Sequence, residues 1–364
     1  MKPILSIVDG NYFVNYASHS AILNLRGPNG DPTGALHTFL NSLWSIKQKH
    51  KGGDIIVVFD GGRAAFRNRL YPGYKKKEKR VEGTLGEVID QSFTLENPIS
   101  EKDIRSIKKE IIEYHENGTD IFEGLENILE TLELTSEEIN KIKKDFEYYN
   151  REQMKDFTFN ALEKLLPAMG IPSIKIPNEE ADDVIYVLTK YLTEDYSTYC
   201  VTSDEDFVQM TSLGATVWLY RQEETITASN FKSKYGFDLE GFTLYKAIKG
   251  DESDKIKGVP GVGKVNATKI IKSLKEPSVT ALFDFCSGST DKKHQAVIEH
   301  FKVVKRNLRL MDLKYVEVSE DVVMNAYDYA KEKAILNFPL VKKIFYEFGL
   351  QNAGTKWLAE LIKT

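Results

Sequence analysis

Nine carboxylates in this chain stand where a folded sheet would gather them. Asp9 closes the apolar run that begins at Ile4, Asp60 closes the segment 54–60, and Asp204 and Asp206 follow the run 198–202. Glu180, Asp182 and Asp183 open an apolar-periodic helix, while Asp251 and Asp254 follow another helix, three residues apart and able to share a face. In open α/β sheets, ligands bind outside the carboxyl ends of the strands, so these groups point to one site. Acids crowded within a few ångströms raise one another's pKa and destabilise the fold. Divalent cations relieve that repulsion, and an oxygen-only donor set suits Mg²⁺ or Mn²⁺ rather than zinc. Two such ions about 3.5–4 Å apart clamp an in-line phosphoryl displacement, activating water and stabilising the leaving oxygen. Each acid also has a plain reading. A lone Asp after a strand is usually a turn or helix cap, and acids in a first helical turn complement the helix dipole. Repetition in four places favours chemistry over capping.

The elements that must position these acids are legible from periodicity. Residues 3–9 and 54–60 read as buried strands. Between them, Leu36, Phe39, Leu40, Leu43, Trp44 and Ile46 mark a helix over 34–50, ended by Gly52 and Gly53. Near-continuous apolar strands joined through a helix predict a parallel sheet. The rhythm resumes with helices over 157–169 and 179–193 and strands at 174–176, 198–202 and 216–220. The expected fold is therefore α/β, a central mostly parallel sheet flanked by helices. Residues 81–155 interrupt it with helices near 101–116, 120–133 and 135–150, the last beginning at Ser136. Beyond 240 the chain reads as mainly helical, broken by a Gly-rich turn at 258–263. The expected partition is a discontinuous core (1–80 and 156–245), an insert (81–155) and a C-terminal region (246–364).

Charge sharpens this partition. A net charge of −5 argues, as a mean, against a nucleic-acid binder. Residues 63–80 nevertheless carry a local balance of +7, and residues 81–150 one of −11. The two cysteines, Cys200 and Cys286, form no metal pattern and read as buried thiols. The apolar stretch at the N-terminus is too short for a signal peptide, and no run approaches the ~20 apolar residues of a membrane span. A cytoplasmic monomer without membrane attachment is the expectation.

The ordered stretches Ile7-Val8-Asp9-Gly10-Asn11, Val58-Phe59-Asp60-Gly61, Glu180-Ala181-Asp182-Asp183, Thr202-Ser203-Asp204-Glu205-Asp206 and Gly250-Asp251-Glu252-Ser253-Asp254 resemble the acidic motifs of flap endonucleases and 5′→3′ exonucleases. That family includes the nuclease domain of bacterial DNA polymerase I and phage enzymes of the ribonuclease H type. The resemblance covers roughly residues 3–80 and 157–270 and implies a PIN-like core, a helical arch and two Mg²⁺ ions, with Mn²⁺ as substitute. Asp9, Asp60, Glu180, Asp182, Asp183, Asp204, Asp206, Asp251 and Asp254 are the implied metal ligands, with Asp182, Asp204, Asp206 and Lys75 as catalytic residues. Tyr74-Lys75 resembles the family's step at the foot of the arch, where Lys75 reaches the scissile phosphate and Tyr74 stacks on a base. Arg63, Arg67, Lys76, Lys77, Lys79 and Arg80 then grip the 5′ strand through phosphates, against the plain reading of a solvated run. Glu78 departs from the pattern where relatives often carry Arg, and Lys255 departs where Asn is common. Gly258-Val259-Pro260-Gly261-Val262-Gly263-Lys264 resembles a helix–hairpin–helix, with Gly258, Gly261, Gly263, Lys264 and Lys269 facing DNA and K⁺ as an implied ion.

The leading reading is a structure-specific 5′-nuclease of replication or repair in a bacterial or phage-infected cell. Its expected substrates are branched, nicked or flapped DNA and RNA/DNA hybrid, with single-strand-binding or other replication proteins as further partners. Two readings compete: a PIN-like ribonuclease, which the hairpin motif disfavours, and a non-catalytic junction binder, which the costly carboxylates disfavour. The acidic insert is expected to enlarge the arch or to dock a partner.

Overall fold

The computed structural model describes residues 2–20, 25–51, 53–76, 80–94, 99–116 and 121–361. Six strands form the main sheet: β1 (Ile4–Asp9), β2 (Asp54–Phe59), β3 (Ser173–Lys175), β4 (Ser197–Thr202), β5 (Thr216–Leu219) and β6 (Glu224–Ile226). Their order is β3-β2-β1-β4-β5-β6, parallel throughout except for β6, which pairs antiparallel with β5. The sheet grows outward from β1 to one side and then returns to its other side at β4. The β1/β4 pair is thus a topological switch point, where the carboxyl ends of adjacent strands open a crevice. Asp9 ends β1, Asp60 follows β2, and Asp204 lies two residues beyond β4.

The chain divides into two compact units. The first comprises Met1–Phe13, Ser45–Lys77 and Gly170–Leu336, and the second Val14–Trp44, Glu78–Met169 and Asn337–Thr364. This corrects the expected partition. Residues 246–336 share one apolar core with the sheet: Ile248, Val304, Val323 and Tyr327 are buried with Leu5, Ile7 and Cys200. Alternation of the strands sends Leu5 and Ile7 to the face covered by the helix Ala181–Leu192, which contributes Val184, Ile185 and Leu188.

The second unit has a separate core. Leu85, Ile89, Phe93, Ile107, Ile111, Leu125, Ile142 and Phe146 are buried together. Its helices Glu101–Glu116 and Ile121–Thr131 fall where the periodicity places them. The expected break near 150 is absent, because one helix runs from Ser136 to Ala168. It starts at Ser136, where the sequence places it, with Thr135 as N-cap in a reciprocal capping box with Glu138. The C-terminal segment belongs to this unit, where Trp357 Nε1 donates to the carbonyl of Leu40 at 3.0 Å and its ring meets Trp44 edge-on.

Candidate active site

All nine acids lie in the first unit, and each is placed by backbone geometry. Asp9 is buried at the end of β1. One carboxylate oxygen accepts the Tyr12 N–H at 2.9 Å and the other the Thr202 hydroxyl at 3.0 Å. Thr202 ends β4, and its hydroxyl also accepts the Asp204 N–H at 3.1 Å, so one side chain ties both strand ends of the switch point. Asp60 is held by Asn11, whose amide nitrogen donates to Oδ2 at 2.8 Å while its oxygen accepts the Asp60 N–H at 2.9 Å. The other Asp60 oxygen accepts the Ala181 N–H at 2.7 Å, at the start of the helix Ala181–Leu192, where a negative charge is favoured.

Gly61 makes that approach feasible. A Cβ there would lie 1.8 Å from the carbonyl oxygen of Ile176, so no other residue fits beside β3's exit. Backbone bonds from Gly61 N–H to Glu179 and from Asn178 N–H to Gly61 then lock the two loops together. Glu180 follows directly, 2% exposed, accepting the Ala64 N–H at 3.1 Å.

Two ammonium groups and one guanidinium reach into the acids. Lys75 Nζ lies 2.9 Å from Glu180 Oε2 and 3.9 Å from Asp182 Oδ2. The Lys75 backbone is left-handed, with φ +46°; its N–H donates to Asp254 O at 2.9 Å and its carbonyl accepts from Arg63 at 2.9 Å. Lys246, 3% exposed, places Nζ 2.6 Å from Asp206 Oδ1 and also bonds Asp251. Arg67 forks onto Asp183, with donor–acceptor distances of 2.7 and 2.6 Å, and donates from Nε to Leu310 O at 3.0 Å.

These contacts revise several expectations. Arg67 is buried, with its donors directed inward at Asp183 and Leu310, so it is an internal tie rather than a phosphate contact. Asp183 is fully buried in that fork, with both carboxylate oxygens accepting from Arg67. Tyr74 is buried too, its hydroxyl donating to Glu180 at 2.9 Å, and offers no open face for base stacking. Arg80 stacks over the Tyr148 ring at 4.8 Å, whereas Lys76 is exposed. Lys77 and Lys79 lie outside the described residues.

Electrostatics divides the remaining acids from ordinary surface carboxylates. Burial, with the charges of Asp60 and Asp204, pushes Asp9 up to about 7. Burial, with Asp204, Asp9 and Asp60, raises Asp182 well above its usual range against the pull of Lys75. Asp206 and Asp254 are each pushed up to about 6, by burial and by neighbouring aspartates. Burial alone would raise Asp251, but Lys246 and Ser253 hold it down at about 2. Burial opposes the charge of Lys75 and Lys246, yet the surrounding carboxylates raise both. Among the described residues no three acids form a closed cation cage by themselves; Lys75 and Lys246 sit between acids instead. The donor chemistry still fits divalent ions: all-oxygen ligands, mutually repelling, with raised pKa values that an added cation would reverse.

The glycine-rich turn follows a short hairpin, β7 (Gly250–Asp251) paired with β8 (Ile256–Lys257). Asp251 and Asp254 are held by this hairpin, which periodicity does not reveal. Gly258 is obligatory, because a Cβ would meet the Lys249 carbonyl oxygen at 2.1 Å. Val259 and Val262 plug the core, Gly261 is left-handed at φ +72°, and Gly263 precedes the helix Lys264–Ser273. Gly261, Gly263, Lys264 and Lys269 are exposed.

Asn11 and Thr202 hold the site from within the acidic motifs, where sequence alone assigned them no role, and Lys246 and Asn307 hold it from outside them. A signal for Lys246 exists: a lysine inside the apolar run 244–248 of a helix whose neighbours Leu244, Tyr245, Ala247 and Ile248 are buried. Asn307, fully buried, donates to Ala247 O at 3.0 Å and Lys257 O at 2.9 Å, clamping the hairpin's base from far along the chain. Nothing local in sequence announces that role.

The chain matches the model of the family described as 5′-3′ exonuclease, N-terminal resolvase-like domain, over residues 4–113 and 141–236. It is 24% identical over 269 residues to a 5′-3′ exonuclease of Buchnera aphidicola subsp. Baizongia pistaciae (strain Bp), covering 74% of this chain and 66% of that one. It is 33% identical over 350 residues to DNA polymerase I of Bacillus subtilis (strain 168), covering 95% of this chain but only 31% of the polymerase. The chain therefore spans about two thirds of that exonuclease and about a third of that polymerase. In fold it is similar to a bacteriophage T5 flap endonuclease solved as a pseudo-enzyme–product complex with DNA and metal ions: TM-score 0.58, 18% identity, 91% of this chain and 98% of that one. With the family model matched over more than half of the chain, and across the strands that lead to Asp9, Asp60 and Asp204, the chain belongs to the 5′-3′ exonuclease family, in its N-terminal resolvase-like domain.

Proposed function

We propose that this chain is a structure-specific 5′-nuclease that hydrolyses phosphodiester bonds near 5′ ends in branched, nicked or flapped DNA and in RNA/DNA hybrid. The observation that carries the reading is the meeting of Asp9, Asp60, Asp182, Asp204, Asp206 and Asp254 beside Lys75 at the carboxyl ends of β1, β2 and β4. Asp9, Asp60, Asp182 and Asp204 are the residues to hold one divalent ion, and Asp206, Asp251 and Asp254 a second, with Mg²⁺ the fitting ion and Mn²⁺ a substitute. When bound, such ions supply Lewis-acid charge that lowers the pKa of water and stabilises a leaving oxygen.

The chain's own residues supply the rest. Lys75, half-buried with its ammonium between Glu180 and Asp182, offers a fixed positive charge for a phosphate oxygen. Tyr74 and Glu180 hold that ammonium at the acids, and the Asp254 carbonyl holds its backbone. Gly261, Gly263 and Lys264, exposed on either side of the buried Val262, offer backbone N–H groups and an ammonium to a duplex phosphate. The acidic second unit is proposed as an enlarged arch or a docking surface for a replication protein. Asp204→Ala should abolish cleavage while DNA affinity stays within about threefold, a difference under ~1 kcal/mol. Lys75→Ala should slow single-turnover cleavage by about 10²-fold or more, as for loss of a donor that stabilises developing charge. Full activity in either variant removes that residue from the site.

A further inference from the structure

Lys246 and Lys75 both bridge acids, but they differ in how they are held. Lys75 has a side chain 31% exposed, whereas that of Lys246 is 4% exposed. Lys246 projects from the helix Phe242–Lys249 among buried Leu244, Tyr245, Ala247 and Ile248. Its ammonium is shared by Asp206, from the turn after β4, and Asp251, from β7. A buried ammonium is tolerated only with such partners, and removing it would leave two like charges facing one another. The acids at the switch point are held differently. Asp9 meets a backbone N–H and a hydroxyl, and Asp60 meets an amide and a backbone N–H, neutral donors that leave their charge in place.

We propose that Lys246 is a tethered counter-cation that occupies the Asp206–Asp251 pair until a second divalent ion displaces it, so that the two halves of the acid cluster fill in sequence. The inference rests on the two-ion reading above. An ammonium and a divalent ion compete for the same carboxylate oxygens, and their mutual repulsion at this range weakens whichever arrives second. Of the acids around Asp9 only Asp182 meets an ammonium, that of Lys75 at 3.9 Å on a part-exposed side chain free to swing away, so this group fills first. Lys246 is thus a positioning residue: its one ammonium holds the carboxylates of Asp206 and Asp251 together before loading.

Mn²⁺ binding to the whole chain without DNA tests this, with free Mn²⁺ counted by electron paramagnetic resonance. Wild type should take up one ion tightly and another more weakly. Lys246→Met should tighten the weaker step on the order of tenfold and leave the tight one unchanged. Lys246→Arg should keep the weaker step near that of wild type. In EDTA, Lys246→Met should melt below wild type, and Mn²⁺ should close the gap. If Lys246→Met does not fold, the wild-type ammonium reports directly. Its ¹⁵Nζ signal, assigned with Lys246→Arg, should move during the second equivalent of Mg²⁺ and stay still during the first. An unchanged or weakened second step in Lys246→Met, or a Lys246 signal that stays still to saturation, overturns the proposal. A wild-type chain that binds only one ion, or none, overturns it together with the two-ion reading.

Discussion

At the residue scale, the site is a negotiation between burial and charge. Asp183 and Arg67 show the structural side: a bidentate pair, both residues at 2% exposure or less. Truncating one partner leaves the other charge buried and alone. Arg67→Ala should therefore destabilise the fold by about 3–5 kcal/mol, read from urea unfolding. A loss under about 1 kcal/mol would instead place Arg67 at an open surface. The raised aspartates show the functional side. Asp9 at about 7, and Asp206 and Asp254 at about 6, exceed their ordinary 3.8. The folded chain thus holds protons that the unfolded chain has released between about pH 4 and pH 7. Stability in EDTA must then fall as pH rises through that window and level off above it. Asp251 and Glu180 are depressed and act in the opposite sense below about pH 4.5. His50, pushed down to about 4 by burial and Lys49, offsets part of the fall up to about pH 6.5, with the lowered His37 acting in the same sense. Saturating Mg²⁺, which binds the ionised acids, should abolish or reverse the fall. Urea melts at pH 5, 6, 7 and 8, with EDTA and with Mg²⁺, check the sign. Stability that climbs with pH in EDTA would be incompatible with acids clustered in this way.

At the element scale, strand ends do the positioning. β1, β2 and β4 deliver Asp9, Asp60 and Asp204 to the switch point because their register is parallel and their carboxyl ends coincide. Gly61 sets the loop that brings Asp60 onto the helix Ala181–Leu192. Gly61→Ala should cost about 3 kcal/mol or more, since a Cβ overlapping a backbone carbonyl cannot be relieved by a rotamer change. A wild-type melting curve would show that the loop is not constrained as described. The strands and these acids were readable from sequence, because apolar runs ending in Asp recur along the chain, where a single one would read as a cap. The hairpin carrying Asp251 and Asp254 was not, since each strand is two residues long and its clamp, Asn307, lies some fifty residues away. Arg67 and Tyr74 misled for a related reason. Sequence shows a basic, aromatic run, but only packing against Asp183, Glu180 and Leu310 shows which members turn inward.

At the scale of the whole molecule, the mean charge of −5 conceals a division of labour along the chain. The basic run begins in the first unit beside the acids, and the acidic stretch 81–150 builds the second unit around its own core of Leu85, Ile111, Leu125 and Phe146. The insert was legible as helices, but its limits were not. The helix Ser136–Ala168 passes without a break through the expected boundary, and only long-range pairs such as Trp357 with Leu40 reveal what else joins that unit. Composition cannot report such pairs. Among the described residues no helix is long and apolar enough to cross a membrane. Whether the acid cluster is catalytic is decided by cleavage of a 5′-labelled flap duplex, compared with a blunt duplex and a single strand, in Mg²⁺ and in EDTA. Cutting near the flap base should require Mg²⁺ or Mn²⁺ and disappear in EDTA. Tight DNA binding without cleavage under either metal would refute a metal-dependent nuclease, and would make the acid cluster part of a non-catalytic junction binder.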